Sequence, residues 1–156
     1  MSIQKNKVKV GLIGGSGYTG GELIRLLINH SKVELVFVQS KTNKGKHIQE
    51  VHADLIGQTE IKFVSKINDK IDLLFMCVGH DKSKEFLDKN KIQRKIKIID
   101  LSQDFRVGSI YNERKFIYGL PELNKDEIIK SYSIANPGCF ATVIQLGLLP
   151  FAVNND

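Results

Sequence analysis

Short apolar runs alternating with helical patterns organise the chain. Val8–Ile13 is apolar and runs into a glycine turn, as buried parallel strands do, and 33–40 is a second such run. Between them, 22–29 places Leu23, Leu26 and Leu27 on one helical face with Ile24 and Ile28 beside it. Strand, glycine turn, helix and strand in about thirty residues make a βαβ unit. Further on, 72–78 is the strongest strand pattern, 96–100 the next buried strand, and 61–64 and Ser133–Ala135 are shorter ones. A surface helix is predicted over 81–90 and a helical turn over 125–130. The stretches 41–57 and 106–121 read as loops, the second long enough to serve a site. From 139 to 149 nearly every position is apolar, the pattern of a buried helix. Together these elements predict an α/β domain of Rossmann type, a doubly wound and mostly parallel sheet with helices on both faces.

Composition narrows the picture. A length of 156 residues with 42% hydrophobic content supports one packed core and falls short of two domains. The net charge of +6 comes from lysines scattered along the chain, such as Lys41, Lys44, Lys46, Lys82 and Lys95, not from one basic block. They read as solvated faces, so no nucleic-acid partner is expected; an anionic cofactor and a phosphorylated substrate suit the same charge. The chain has no apolar leader after Met1 and no apolar run of membrane-spanning length, so the expectation is a cytoplasmic protein with no membrane partner. Its two cysteines, Cys77 and Cys139, make no disulfide framework and have no Cys or His at zinc-site spacing, so no metal is expected. Cys77 sits within the apolar run 73–78 and reads as an inert core thiol.

Gly14, Gly17 and Gly20 fit GxxGxxG between a strand and a helix. Glycine lets the backbone bend sharply and approach a pyrophosphate with no Cβ in the way, and the helix start offers unpaired N–H groups. Ser16, Tyr18 and Thr19 complete the candidate cofactor turn. An NAD site usually carries an acid at the end of the second strand, to bond the ribose 2′-OH. Here 35–49 contains none. Ser40 and Lys41 can instead hold a 2′-phosphate, with Lys44 or Lys46 assisting, so the expected cofactor is NADP(H).

Pro137 and Gly138 fix a tight turn, and the apolar helix begins at about Cys139. A thiol at a helix start feels the dipole and nearby N–H donors, which favour the thiolate, and the same amides can stabilise an oxyanion. On spacing alone this fits a nucleophile or a structural cysteine.

The segment 134–142, Ile-Ala-Asn-Pro-Gly-Cys-Phe-Ala-Thr, continuing to Gly147-Leu148-Leu149-Pro150, resembles the active-site motif of the N-acetyl-γ-glutamyl-phosphate reductase family. Three more stretches match that family in order: 14–20, Asp100-Leu101-Ser102-Gln103-Asp104-Phe105-Arg106, and Tyr118-Gly119-Leu120-Pro121-Glu122. The resemblance implies a two-domain enzyme of arginine biosynthesis that interconverts an acyl phosphate and its semialdehyde with NADP(H). It implies that the Cys139 thiolate attacks the acyl phosphate, that phosphate leaves a thioester, and that hydride from NADPH reduces it. Arg106 is then a candidate to attract the substrate's phosphate or carboxylate, and Asp104 a residue that orients its loop.

Two positions depart from the family pattern. Val143 stands where a small residue is usual, and Gly79-His80-Asp81 replaces the frequent Pro-His-Gly, with His80 a candidate for lining the cofactor site. His30, His47 and His52 belong to no motif. The family's histidine base lies in a second, C-terminal domain, so residues 1–156 are expected to be an N-terminal part, inactive alone, whose apolar surface that domain covers. The full-length enzyme is expected to be a dimer or tetramer. Alternatives are an aspartate-semialdehyde dehydrogenase, although its cysteine follows an asparagine directly, a reductase of an aminoadipyl phosphate, or a non-catalytic NADP sensor.

Overall fold

The computed structural model describes residues 7–108 and 110–153. In chain order the elements are β1 (Val8–Ile13), α1 (Tyr18–Ile28), β2 (Val33–Gln39), β3 (Phe63–Val64), β4 (Leu73–Met76), α2 (Ser83–Lys89), β5 (Lys97–Asp100), β6 (Ile110–Tyr111), β7 (Arg114–Tyr118), α3 (Pro121–Lys130), β8 (Ser133–Ala135) and α4 (Cys139–Val153). Among the described residues the strands form one sheet in the order β3-β2-β1-β4-β5-β8-β7-β6. All neighbours pair in parallel except the β6–β7 hairpin. The predicted Rossmann-type sheet is therefore present.

Strand alternation divides the core between the two faces. Val10 and Leu12 point to one face, where Ile24 and Leu27 of α1 meet Val38 and Phe63. Ile13, Leu74 and Ile98 contribute to the other, with Leu87 of α2 and the stacked rings of Phe105 and Phe116, 3.9 Å apart. Because the strands run parallel, the residues following β1, β2, β4, β5 and β8 all emerge at one edge of the sheet. The order reverses between β1 and β4, and ligands of such sheets bind in the crevice at that switch point.

Four expectations are corrected. Helix α1 starts at Tyr18 rather than Glu22, because the glycine turn closes at Gly17. The stretch 106–121 is not a continuous loop: β6 and β7 form a hairpin whose two-residue turn, Asn112 and Glu113, takes positive φ at both positions (46° and 62°). That is the geometry of a tight I′ turn, built here without glycine. Helix α3 begins at Pro121, whose fixed φ suits a first helical position, and kinks at Asn124. Helix α4 is apolar but exposed, with Phe140 at 79% and Val143 at 72% of full accessibility. Val143 therefore lies on an exposed apolar face with Phe140, Leu148 and Phe151.

Candidate functional site

Gly14 turns the chain out of β1 at φ 75°, and a Cβ there would stand 2.4 Å from the Cys77 carbonyl oxygen. The Gly15 N–H donates to the Gln39 carbonyl at 3.0 Å, and the Gly17 N–H to the Gly14 carbonyl at 3.3 Å. Gly20 lets α1 rest on this turn, since a Cβ on it would lie 2.5 Å from the Gly14 oxygen. Gly17 caps α1 with no side-chain bond, and the first turn of the helix carries no acid. Its leading N–H groups are thus left for an anion.

Beside this turn opens a cleft of about 830 Å³, lined by Gly14, Ser16, Gly17, Ser40 and Lys41 among others. Ser40 is buried; its hydroxyl lies 3.0 Å from that of Ser16 and accepts the Asn43 N–H at 3.3 Å. Lys66 also lines the cleft, and neither it nor Lys41 makes an ion pair among the described residues. Lys66 lies just beyond the two-residue strand β3, in no motif that marks it in the sequence. The glycine cradle, the uncapped helix and two lysines in the lining fit a dinucleotide with an extra phosphate. Of the expected cofactor residues, Tyr18, Thr19 and Gly20 do not line the cleft: Tyr18 and Thr19 are exposed, and Gly20 serves the turn's packing. Lys44, Lys46 and His80 lie outside its lining as well, and the His80 Nδ1 accepts the Gln103 N–H at 3.1 Å. Cys77 lines the cleft, and burial together with the nearby Asp100 charge pushes its thiol up to about 12, so it stays protonated.

The second half of the site follows β8. The Asn136 N–H donates to the Asp100 carbonyl at 2.8 Å, Pro137 and Gly138 turn the chain, and Cys139 opens α4, exposed. Both the N–H and the hydroxyl of Thr142 donate to the Gly138 carbonyl at 2.9 Å, closing the first helical turn. Gly119 lets the end of β7 approach: a Cβ there would meet Ile134 at 2.6 Å.

Arg106 lies against the cysteine turn. It is half-buried, its Nε donates to the Asn136 carbonyl at 3.0 Å and its Nη2 to the Leu101 carbonyl at 3.1 Å. Its Nη1 fills the space over Gly138, where a Cβ would stand 2.7 Å away. The guanidinium thus braces the cysteine turn. Asp104 accepts the N–H groups of Asp81, Ser83 and Lys84 at 2.7, 3.0 and 3.1 Å. Partial burial alone raises its pKa, but those donors and the Ser102 hydroxyl outweigh it and hold the carboxyl below its ordinary value. Asp100, fully buried, accepts the Ser83 and Ser102 hydroxyls at 2.5 and 2.6 Å; desolvation raises its pKa against those bonds. Among the described residues no acid, cysteine and histidine cluster suits a metal ion, and no helix is long and apolar enough to cross a membrane.

Known proteins share both the sequence and the fold. The chain is 53% identical over 147 residues to the N-acetyl-gamma-glutamyl-phosphate reductase of Christiangramia forsetii, covering 94% of this chain and 45% of that protein. To the protein of that name from Flavobacterium johnsoniae it is 52% identical, over 95% of this chain and 46% of that one. The chain therefore spans about half the length of the curated relatives it matches. The fold of aspartate semialdehyde dehydrogenase II from Vibrio cholerae superposes with a TM-score of 0.73 at 17% identity, over 96% of this chain and 47% of that one. The Candida albicans aspartate semialdehyde dehydrogenase, solved with NADP, gives 0.70 at 16% identity, over 95% and 47%. Residues 9–131 match the family described as semialdehyde dehydrogenase, NAD binding domain, and this chain belongs to that family.

Proposed function

We propose that residues 1–156 are the N-terminal, cofactor-binding part of an N-acetyl-γ-glutamyl-phosphate reductase that uses NADPH, with Cys139 as nucleophile. The observation that carries this is positional: an exposed cysteine opens α4 at the sheet edge where the glycine turn and its cleft lie. Relatives of that name, 50 to 53% identical along this chain, support the substrate class. Pro137 and Gly138 between Asn136 and Cys139 separate it from the aspartate-semialdehyde reading.

In this reading Gly14, Ser16 and Gly17 face the pyrophosphate, and the uncapped start of α1 (Tyr18, Thr19, Gly20) offers it only backbone N–H groups, not side chains. Ser40 and Lys41, joined by Lys66, hold the 2′-phosphate. When bound, the cofactor supplies hydride to the acyl carbon. Sγ of Cys139 attacks that carbon, the carbon–oxygen bond to phosphate breaks, and the acyl group remains as a thioester on Sγ. The leading N–H groups of α4 meet the negative charge that develops at the attacked carbonyl. Arg106 acts through the turn it braces, and Asp104 through α2 and its own loop. A second domain supplies the general base and covers the apolar face of α4; the complete enzyme is a cytoplasmic homo-oligomer.

Two measurements test the proposal. Timed alkylation with iodoacetamide at pH 7, against a Cys139→Ser control, should label Cys139 faster than a free peptide thiol; an equal rate sinks the nucleophile assignment. Fluorescence titration with NADPH and NADH should favour NADPH, and Lys41→Ala and Lys66→Ala should each erode that preference. A ratio unchanged in both variants rules out the 2′-phosphate assignment.

A further inference from the structure

His52 belongs to no sequence motif, yet its ring sits against the glycine turn from outside the cleft, whose lining includes neither His52 nor Gly15. Nε2 lies 2.8 Å from the Gly15 carbonyl oxygen. A carbonyl only accepts, so Nε2 carries the proton and donates. We infer that His52 is a positioning residue for the dinucleotide turn, setting the direction in which the Ser16 amide points; this rests on the cofactor reading above.

The Gly15 C=O and the Ser16 N–H belong to one planar trans peptide, so they point in opposite directions. Fixing the carbonyl on His52 therefore turns the Ser16 N–H away from His52, and Ser16 is a residue of the cleft. That N–H makes no hydrogen bond among the described residues. On the other side of Gly15, its N–H is held by the Gln39 carbonyl at 3.0 Å, so both peptides flanking Gly15 are fixed.

The ring also explains a glycine that phosphate binding does not ask for. A Cβ on Gly21 would stand 2.6 Å from Cε1 and 2.7 Å from Nδ1 of His52, so Gly21 makes room for the imidazole. The ring is seated against Phe63, with centroids 6.4 Å apart, between the single 3₁₀ turns Ile48–Glu50 and Ala53–Leu55, whose Ile48 and Leu55 are buried. The segment between β2 and β3 thereby becomes a support for the cofactor turn.

The test separates donor from shape. In this chain, His52→Gln retains an N–H donor near the Nε2 position, while His52→Phe keeps a ring and removes the donor. NADPH binding followed by fluorescence should stay within about threefold in His52→Gln and weaken about tenfold in His52→Phe, the scale of one buried carbonyl left without its donor. In the ligand-free chain, the ¹⁵N–¹H shift of Ser16 should move in His52→Phe and stay near the wild-type position in His52→Gln. Equal binding by both variants, or an unmoved Ser16 amide in His52→Phe, overturns the inference. So does equal loss in both variants, which marks His52 as packing only. If the unaltered chain binds no NADPH, the cofactor reading fails, and the ligand-free amide shifts still decide the role of His52.

Discussion

Gly20→Ala sets two opposed effects of known size against each other. In an ordinary helix interior the change stabilises by roughly 1 kcal/mol, because alanine is the better helix former. Here the added Cβ would lie 2.5 Å from the Gly14 oxygen, 2.8 Å from the Gly15 Cα and 3.0 Å from the Gly15 carbonyl carbon. Comfortable separations are near 3.5 to 4.0 Å, so α1 must move away by roughly 1 Å or the turn must yield. The turn is poorly placed to yield: the Gly14 oxygen is bonded by Gly17, and Gly15 is held by Gln39 and His52. Overpacking costs about 1 to 3 kcal/mol, at the upper end, about 2 to 3 kcal/mol, where only backbone can give, so with the propensity gain subtracted the expected net loss is about 1 to 2 kcal/mol. Gly17→Ala is the control, since its Cβ would meet nothing closer than 3.7 Å at a φ of −83°. It should change stability by less than about 0.5 kcal/mol. Urea unfolding with unchanged m-values reads both. A Gly20→Ala chain as stable as wild type, or more so, refutes the claim that contact and not propensity sets that glycine.

Other outcomes follow from the same geometry. At pH 8 the native chain should label at Cys139 and not at Cys77: a thiol pushed up to about 12 is only about 10⁻⁴ thiolate there, whereas both should label in urea, as mass spectrometry can count. Asp104→Ala should cost about 1 to 2 kcal/mol at pH 7 by removing a charged acceptor from three N–H groups. Because the folded pKa of Asp104 is depressed, its contribution is complete above the ordinary carboxylate range and is lost as pH falls through the folded value. The gap between wild type and Asp104→Ala in thermal unfolding should therefore close on acidification, and a gap that widens contradicts the capping role. Gly138→Ala should destabilise the native chain by driving Nη1 of Arg106 off its place, and much less in an Arg106→Ala background. A double-mutant cycle should then return a coupling of about 1 kcal/mol, and additive effects rule out the brace.

What the sequence made legible and what it hid divide by range. The β1-α1-β2 unit was readable because leucine and isoleucine periodicity and a glycine run are local signals, and the cysteine turn because proline and glycine mark it. The β6–β7 hairpin was hidden because Asn112 and Glu113 form a turn that commonly advertises itself by glycine. The exposure of α4 was hidden for a different reason: an apolar run states that a surface wants cover, not what covers it. Residues 44, 46 and 66 show the same limit. All three are lysines near the ends of short elements, and only tertiary placement puts Lys66 in the cleft and leaves the other two out. His52 and Arg106 act on partners 37 and 30 residues away, where no periodicity reaches.

The segment from Asp100 to Arg106 joins the two halves of the site, which explains why so polar a stretch is so deeply tied in. Asp100 binds Ser83 at the start of α2, and its carbonyl receives Asn136 of the cysteine turn. Asp104 holds the backbone where β4 leads into α2, beside the cleft, and Phe105 is fully buried against Phe116. Arg106 then reaches to Asn136 and Gly138. A displacement of this segment therefore moves the cleft wall and the Cys139 turn together, and a change at Arg106 need not stay local to that turn. Two carboxylates of opposite pKa tendency sit four residues apart within it, one raised by desolvation and one lowered by N–H donors. Removing the Asp104 charge should thus disturb the α2 side first, and reach the cysteine turn only through Phe105 and Arg106. Amide exchange on Asp104→Ala can order these events: protection lost at 83–86 before 136–142 fits the linkage, and the reverse order breaks it.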